Sequence, residues 1–280
     1  MTAQTSTVKS FPLNTEMRAP VLEQTVLITR QNLVTIFRRP AALIPPIAIS
    51  LFFLVIYNST LGGAASFIPD LGANSYLGFI LPLSIISASL AGAGIAAQNL
   101  VRNIENGYFD KLLLTPIKRS ALLTGTILSG AVILGLQAAL VLGVAMLMGL
   151  QIETGFLGAM AVIGMSVLLG LGFAGFTMSA ALGSGSAAVT QSAGFIFFPL
   201  TFLAPTFVPL ELLSGWLRVA AQLNPITYVL QAMRAIINEG WVWPEIMAGV
   251  LACVILGSAM YLLTLLPCAV ERLVVSYRWR

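Results

Sequence analysis

Histidine is absent from the 280-residue sequence, and cysteine is scarce, with only Cys253 and Cys268, both in the last apolar stretch. Without histidine, the chain lacks the side chain that most often serves as a general base and metal ligand near neutral pH. Two cysteines in one apolar run are too few for a disulfide framework or a metal site. We therefore predict two buried, reduced thiols.

Charged residues are also scarce, at 9% of the chain against roughly 25% in soluble domains. The acidic residues, from Glu16 to Glu271, all fall in predicted loops, tails or interfaces, whereas intramembrane proteolysis and proton relays need ionisable groups inside the membrane. No phosphate-binding loop of the form G-x-x-x-x-G-K-[S/T] occurs, because none of the three lysines follows a glycine. We predict that the chain is not an enzyme and holds no metal or cofactor itself.

Apolar residues are present in excess, at 58% of the chain. A soluble fold of this length could not bury so much apolar surface, so lipid must solvate part of it. A helix needs about 20 apolar residues to cross a membrane, and the long charge-free run 154–210 fits two crossings with a turn at Gly183–Ser186. The pattern predicts an all-α polytopic membrane protein with six transmembrane helices near 41–61, 75–98, 121–148, 156–182, 188–207 and 246–267.

The positive charges predict the orientation of these spans. All 14 lysines and arginines except Arg218 and Arg234 fall on the side that holds both termini. Such an asymmetry predicts a protein of the bacterial cell (inner) membrane with both termini in the cytoplasm. We read the net charge of +4 in this way, and we predict no nucleic acid partner.

Three segments outside the spans also show a pattern. Residues 21–39 carry Leu22, Val26, Leu33 and Phe37 near helical spacing, which is typical of an interfacial helix, with a plain solvated leader as the alternative. Residues 206–245 predict two short amphipathic helices in the outer leaflet. The predicted organisation is a cytoplasmic tail 1–20, an interfacial helix 21–39, a six-span domain 40–270 with a cytoplasmic loop 99–120 and an outer segment 206–245, and a tail 271–280.

The cytoplasmic loop contains a candidate docking helix. Gly107 can end the incoming helix and Pro116 can begin the next structure, with Asp110, Lys111 and Leu112–Leu114 between them. A short amphipathic helix in a tight loop is suited to a groove on a soluble partner. The alternative is a loop that only connects two spans.

This loop, from Glu105 to Pro116, resembles the E-x-G-x-x-D-[K/R]-L-L-x-T-P stretch of permeases in the type-2 ABC exporter superfamily, of the daunorubicin-resistance and nodulation-factor exporter type. A second similarity covers 198–236 and includes the motif from Asn224 to Tyr228, Asn-Pro-Ile-Thr-Tyr. In that family the motif lies in a re-entrant outer helical pair. Ser214 departs from the pattern, because many relatives have proline there.

The resemblance implies a permease subunit that moves a hydrophobic or amphipathic molecule, such as a drug, a lipid or a glycolipid, out of the cytoplasm or inner leaflet. A separate ATPase subunit would bind ATP and Mg, and a second permease copy would pair with this chain. The residues implied to contact the ATPase are Glu105, Gly107, Asp110, Lys111, Leu113 and Pro116, with the helix Val21–Arg39 beside them. The residues implied at an outer gate are Asn224, Pro225, Tyr228 and Arg234.

The path of the cargo is predicted from the fifth span, which carries Phe195, Phe198, Thr201 and Phe202. Such walls would suit an amphipathic molecule, although ordinary helix packing is the alternative for these residues. For the gate residues the alternative is helix capping and an interfacial aromatic anchor. For the chain as a whole the alternatives are an ion-coupled secondary transporter or channel, and an intramembrane enzyme.

Overall fold

The structure is a computed structural model that describes residues 20–38, 40–61, 76–105, 119–184, 187–195, 197–206 and 210–278. Throughout these ranges the regular structure is helical and contains no strand, which confirms the predicted all-α class. The helices are α1 (Val21–Phe37), α2 (Pro40–Leu61), α3 (Tyr76–Glu105), α4 (Arg119–Leu147), α5 (Gly155–Ser184), α6 (Ala187–Phe195), α7 (Phe197–Leu203), α8 (Gly215–Leu223), α9 (Pro225–Arg234) and α10 (Trp243–Arg278). A 3-10 turn at Leu210–Leu212 precedes α8, and a π-helical turn at Ala235–Glu239 follows α9.

Five of these helices contain an apolar stretch long enough to cross a membrane, and they correspond to five of the six predicted spans. The stretches are Leu43–Thr60, Tyr76–Ile95, Thr124–Leu147, Gly155–Thr177 and Trp243–Met260. The remaining predicted span, 188–207, is described as the two short helices α6 and α7, on either side of residue 196, which lies outside the described residues. The six-span count therefore stays a prediction.

Two helices continue past the ends predicted for their spans. The helix α3 runs to Glu105, into the predicted loop 99–120, and α10 runs to Arg278 through most of the predicted tail. The apolar part of α3 ends near Ile95, but charged and amide side chains are compatible with helix beyond the lipid. Loss of apolar character marks where a span ends, and the hydrogen-bonded helix can continue.

The helix α3 lies at the centre of the bundle. Of its membrane-length stretch 78% is buried inside the protein, against 17% for α2 and 22% for α10. Helices α2, α4, α5 and the α6–α7 segment all pack on α3, and α10 packs on α5 from the far side. The exposed faces of α2 and α10 are apolar, as lipid-facing helices must be.

Small residues allow a close contact between α5 and α10. A Cβ atom placed on Gly172 of α5 would lie 3.0 Å from the Cα atom of Gly257 of α10, so the two backbones touch where these helices cross. Glycine at both positions lets helices approach closely in lipid, where dispersion contacts replace the hydrophobic effect as the driving force. This contact joins α10 firmly to the bundle.

Candidate functional site

The candidate outer-gate residues lie at one end of the bundle, which we call the α9 end because α9 and the π-helical turn sit there beside the first turn of α3. The helix α9 begins at Asn224-Pro225. The Asn224 side-chain oxygen accepts a hydrogen bond from the Ile226 amide at 3.0 Å, and its amide nitrogen donates to the Leu200 carbonyl of α7. The backbone N–H at the first helical position has no partner within the helix, so Pro225, which lacks this N–H, is well suited to it. Asn224 therefore both caps α9 and attaches its start to α7.

Arg234, the last residue of α9, is buried and joins three parts of the chain. Its Nε atom donates to the Phe79 carbonyl of α3 at 3.0 Å. Its two terminal nitrogens donate to the carbonyls of Pro205 at 2.8 Å and Thr206 at 2.9 Å, just after α7. The guanidinium carbon also lies 3.4 Å from the centre of the Phe79 ring. We call this arrangement the arginine clamp.

The clamp has a clear electrostatic basis. A buried charge is costly unless polar groups compensate it, and here carbonyl oxygens and the negative face of an aromatic ring do so. Hydrogen bonds to a charged donor are stronger than neutral ones. The clamp therefore fixes the end of α7 against α3 and α9, at the point where the predicted fifth span ends.

The π-helical turn Ala235–Glu239 follows α9 at this end of the bundle. The Ile236 carbonyl accepts a hydrogen bond from the Thr154 hydroxyl at 2.7 Å, and the Ile237 carbonyl accepts one from the Glu153 amide at 3.0 Å. Asn238 donates to the Gly78 carbonyl of α3 at 3.3 Å. A π turn releases carbonyls from the ordinary helical pattern, and here they bind the connection between α4 and α5.

The fourth predicted gate residue, Tyr228, is placed differently from the other three. Its side chain is exposed, and its hydroxyl donates to the Gln222 carbonyl at the end of α8 at 2.8 Å. Exposed Trp241 and Trp243 stack on each other just before and at the start of α10. Tyrosine and tryptophan are enriched where a protein meets the membrane–water interface. The structure thus brings Asn224 and Arg234 into contact with the bundle, has the half-buried Pro225 as the first residue of α9, and leaves Tyr228 at the surface.

Sequence reasoning missed the residues that complete the clamp. Phe79, Pro205 and Thr206 lie far from Arg234 in the chain, and the latter two use only their backbone carbonyls. A sequence motif carries no signal for a carbonyl acceptor. The one available signal was Arg234 itself, a charge in an apolar segment.

At the opposite end, which we call the α1 end, α1 packs on the first turns of α4. Thr29 donates from its hydroxyl to the Gly125 carbonyl at 3.2 Å, and the Thr25 and Thr124 hydroxyls are 3.4 Å apart. Asn32 donates to the hydroxyls of Thr126 at 3.5 Å and Ser129 at 3.4 Å. We call this set of contacts the hydroxyl clasp; the sequence analysis did not identify it.

A glycine makes the clasp possible. A Cβ atom on Gly125 would lie 2.8 Å from the Ile28 side chain and 3.1 Å from the Thr25 carbonyl, too close for any larger residue without movement of α1. Here α1 and α4 meet through long hydrogen bonds between neutral groups. The clasp is therefore a weaker junction than the arginine clamp.

The predicted ATPase-coupling residues lie next to the clasp in the chain. Glu105 is the last residue of α3, and Gly107, Asp110, Lys111, Leu113 and Pro116 lie outside the described residues. The chain re-enters the described region at Arg119, the first residue of α4. The segment predicted to couple to the ATPase thus follows α3 in the chain and precedes the helix that holds α1.

The predicted cargo-path residues lie on α6 and α7. Phe195 ends α6 and Phe198 is in α7, but their side chains fall outside what the structure describes. Thr201 is buried, whereas Phe202 is 47% exposed, so these two do not share one environment. Elsewhere in the bundle, the hydroxyl of Ser89 on α3 lies 2.6 Å from the hydroxyl of Ser166 on α5, so this polar pair takes part in helix packing.

Comparison with known proteins identifies the family. Residues 23–238 match the family model described as ABC-2 type transporter. The chain is 26% identical over 217 residues to a doxorubicin resistance ABC transporter permease protein of Mycobacterium tuberculosis, covering 78% of each protein. It is 28% identical over 202 residues to a daunorubicin resistance ABC transporter permease protein of Streptomyces coeruleorubidus, covering 71% of this chain and 69% of the relative.

A third relative is an inner membrane transport permease of Escherichia coli, 26% identical over 201 residues, covering 69% of this chain and 73% of the relative. The family match extends from the first turn of α1 through the π-helical turn and includes both the arginine clamp and the hydroxyl clasp. The resemblance stated from the two sequence motifs is therefore confirmed. The chain belongs to the ABC-2 type transporter family, as a multi-pass membrane permease.

Proposed function

We propose that this permease exports a hydrophobic or amphipathic molecule, driven by a separate ATPase subunit that carries ATP and Mg. The observation that carries the proposal is the similarity to drug-resistance permeases across about three quarters of the chain. The composition agrees with it, because the chain has no histidine and few charges for ion coupling inside the membrane. A second copy of the chain, or a similar permease, completes the translocation path.

The proposed topology has six crossings, with α6 and α7 together forming the fifth. At 1.5 Å per residue, the helices α6 and α7 rise about 24 Å together, close to the thickness of a hydrocarbon core. The segment begins after α5 and reaches the arginine clamp at the α9 end. Both termini then share the α1 end, which is cytoplasmic by the distribution of lysine and arginine, in a bacterial inner membrane.

In this topology α1 is an interfacial helix and α8–α9 a re-entrant pair in the outer leaflet. The exposed large side chains of α8, Trp216, Val219 and Leu223, follow each other at helical spacing, as expected for a helix with one face in lipid. The buried face of α9 supports a position inside the bundle, because Val229, Leu230 and Met233 are all fully buried. Non-helical backbone near lipid requires such shielding by protein.

The proposed drive begins at the coupling loop. ATP binding brings the ATPase subunits together, and Glu105, Gly107, Asp110, Lys111, Leu113 and Pro116 receive the movement. Because the loop returns to α4 at Arg119, and α1 is attached to α4 by the hydroxyl clasp, a movement of the loop reaches both α4 and α1. A rigid-body shift of packed helices then carries the movement across the membrane.

The proposed outer gate is the arginine clamp together with Asn224, Pro225 and Tyr228. The clamp holds the end of α7 against α3, so outward opening requires α7 to move with α9 or to release it. Phe195, Phe198, Thr201 and Phe202 lie on the segment that ends at this gate, and they form the proposed wall of the cargo path. Aromatic and hydroxyl groups suit a molecule with apolar and polar parts.

The test uses the permease expressed with its ATPase subunit in inverted membrane vesicles, with daunorubicin as the probe cargo. We expect drug uptake that requires ATP and both subunits. Gly107→Pro or Glu105→Arg should abolish uptake while ATP hydrolysis and membrane insertion remain. The matched control is Gln151→Ala, an exposed residue in the connection at the other end of the bundle.

Uptake driven by a proton or sodium gradient without the ATPase would contradict the proposal and favour an ion-coupled secondary transporter. Drug-stimulated ATP hydrolysis and uptake at wild-type rates in both loop variants would contradict the coupling role alone. Cysteine labelling that placed residues 105–116 on the outer side would contradict the topology.

A further inference from the structure

The hydroxyl clasp fixes the rotation of α1 about its own axis. Thr25, Thr29 and Asn32 lie on one side of the helix and face α4. Ile28 and Ile36 are buried on the same side. Since residues on the opposite side cannot also reach the bundle, the rest of the helix surface is turned away from the protein.

That outward surface is apolar with positive charge in it. Its large side chains are Leu22, Val26, Leu27, Val34 and Phe37, exposed by 78%, 55%, 54%, 42% and 52%. Arg30 is exposed in their midst, because Val26, Leu27 and Val34 are its neighbours at the i−4, i−3 and i+4 positions. Arg38 is exposed just after the last helical residue. We call these residues, from Leu22 to Arg38, the α1 outer face.

Arg30 forms no ion pair with any residue in the part of the chain that the structure describes. An arginine needed only for solubility has no reason to sit among five large apolar side chains. An arginine at a lipid headgroup fits this position, because its aliphatic stem covers apolar surface while its planar guanidinium donates to phosphate oxygens. The outer face also leads directly into α2, whose early residue Ile44 is 59% exposed at the start of an apolar span.

We propose that the α1 outer face is a binding surface for anionic phospholipid, with Arg30 and Arg38 contacting the headgroup phosphate and the apolar side chains entering the acyl region. The proposal rests on the membrane position proposed above for α1. Anionic rather than zwitterionic lipid is favoured because the exposed face carries two arginines against the single acid Glu23. A bound lipid would hold α1, and with it the clasp, at the membrane surface.

The experiment uses the full-length protein in lipid nanodiscs that contain phosphatidylglycerol and phosphatidylcholine in equal amounts. Native mass spectrometry of the released protein measures how much of each lipid stays bound. We expect preferential retention of phosphatidylglycerol by the wild type, and about fivefold weaker retention for each of Arg30→Gln and Arg38→Gln. Arg30→Lys should keep most of the retention, and Arg218→Gln, which removes an exposed arginine of α8 at the other end, should keep all of it.

Retention of phosphatidylglycerol by the Arg30→Gln and Arg38→Gln double variant at the wild-type level would overturn the proposal. So would a variant that keeps the lipid but no longer co-purifies with the ATPase subunit, because the surface would then be a protein docking site. If the double variant fails to insert, the test is repeated with the wild type in high salt. Salt should screen the arginine–phosphate attraction and remove the preference for phosphatidylglycerol, and an unchanged preference would refute the proposal. The assay needs neither ATP nor cargo, so its failure is separate from failure of the export proposal.

Discussion

The two ends of this permease hold their short helices in different ways. At the α9 end, α9 is buried on most of its surface, and the charged donor Arg234 binds three carbonyls at 2.8–3.0 Å. At the α1 end, neutral hydroxyl and amide groups hold α1 at 3.2–3.5 Å, and most of its large apolar side chains are exposed. Charge-assisted bonds in a buried site are stronger than neutral bonds at a half-exposed one. The difference indicates that α9 is firmly held and that α1 is lightly attached.

The largest effect should come from Arg234→Leu. The change leaves the carbonyls of Phe79, Pro205 and Thr206 buried without their donor and removes the contact with the Phe79 ring. We expect a loss of about 3–5 kcal/mol in the free energy of unfolding, measured by denaturant titration in detergent micelles. Arg218→Leu, which removes an exposed arginine from α8, is the control. An Arg234→Leu protein as stable as this control would show that the clamp does not hold the α9 end.

The next effect should come from Gly125→Val, which places a side chain into Ile28 and the Thr25 carbonyl. Overpacking of this kind typically costs about 1–3 kcal/mol, and here α1 can move away instead of the bundle unfolding. We expect faster amide hydrogen exchange in α1 with unchanged exchange in α3. Gly143→Ala on the same helix has open space around the new methyl group and should change neither. Equal amide exchange of α1 in both variants would mean that α1 does not pack against Gly125.

A smaller effect is expected for Asn224→Ala. The substitution removes the cap of α9 and the hydrogen bond to the Leu200 carbonyl, and loss of a cap costs about 0.5–2 kcal/mol. Thermal unfolding of the purified protein should show a lower midpoint, whereas Gln222→Ala at the exposed end of α8 should not. An unchanged midpoint would mean that Asn224 does not help to hold α9 and that Arg234 alone does so.

The smallest effect is expected for Thr29→Val, which keeps the side-chain shape and removes the neutral hydroxyl that donates to the carbonyls of Thr25 at 2.8 Å and Gly125 at 3.2 Å. The expected loss in the free energy of unfolding is about 0.5–1 kcal/mol. If the two ends differ as described, this loss should be well below that of Arg234→Leu under the same denaturant titration. A loss as large as for Arg234→Leu would remove the contrast between the ends.

Much of the fold was predictable because the membrane permits few solutions. Apolar stretches of sufficient length must be helical in lipid, and five such stretches are helices near the predicted positions. The start of α9 was also predictable, because asparagine is a common helix cap and proline suits the first helical position, where the backbone N–H has no partner. The extent of α3 to Glu105 was not, because loss of apolar character does not end a helix.

The site was predictable only in part. Arg234 was implied as a gate residue by the family resemblance, yet nothing nearby in the sequence identified its acceptors on α3 and after α7. The clasp partners Thr29 and Gly125 are ordinary residues in the sequence and become significant only by contact. The coupling residues Gly107 to Pro116 stay a prediction that rests on the family motif.

The sequence by itself determined that this chain is a helical membrane protein, because its excess of apolar residues and lack of charge leave lipid as the only suitable solvent. Its segments at 105–116 and 198–236 also resemble those of type-2 ABC exporter permeases, and the family match confirms that resemblance. Only the tertiary structure decided which carbonyls surround Arg234 and which face of α1 is turned outward. Those contacts join residues distant in the chain, and helical periodicity describes one helix at a time without stating which neighbour its faces meet.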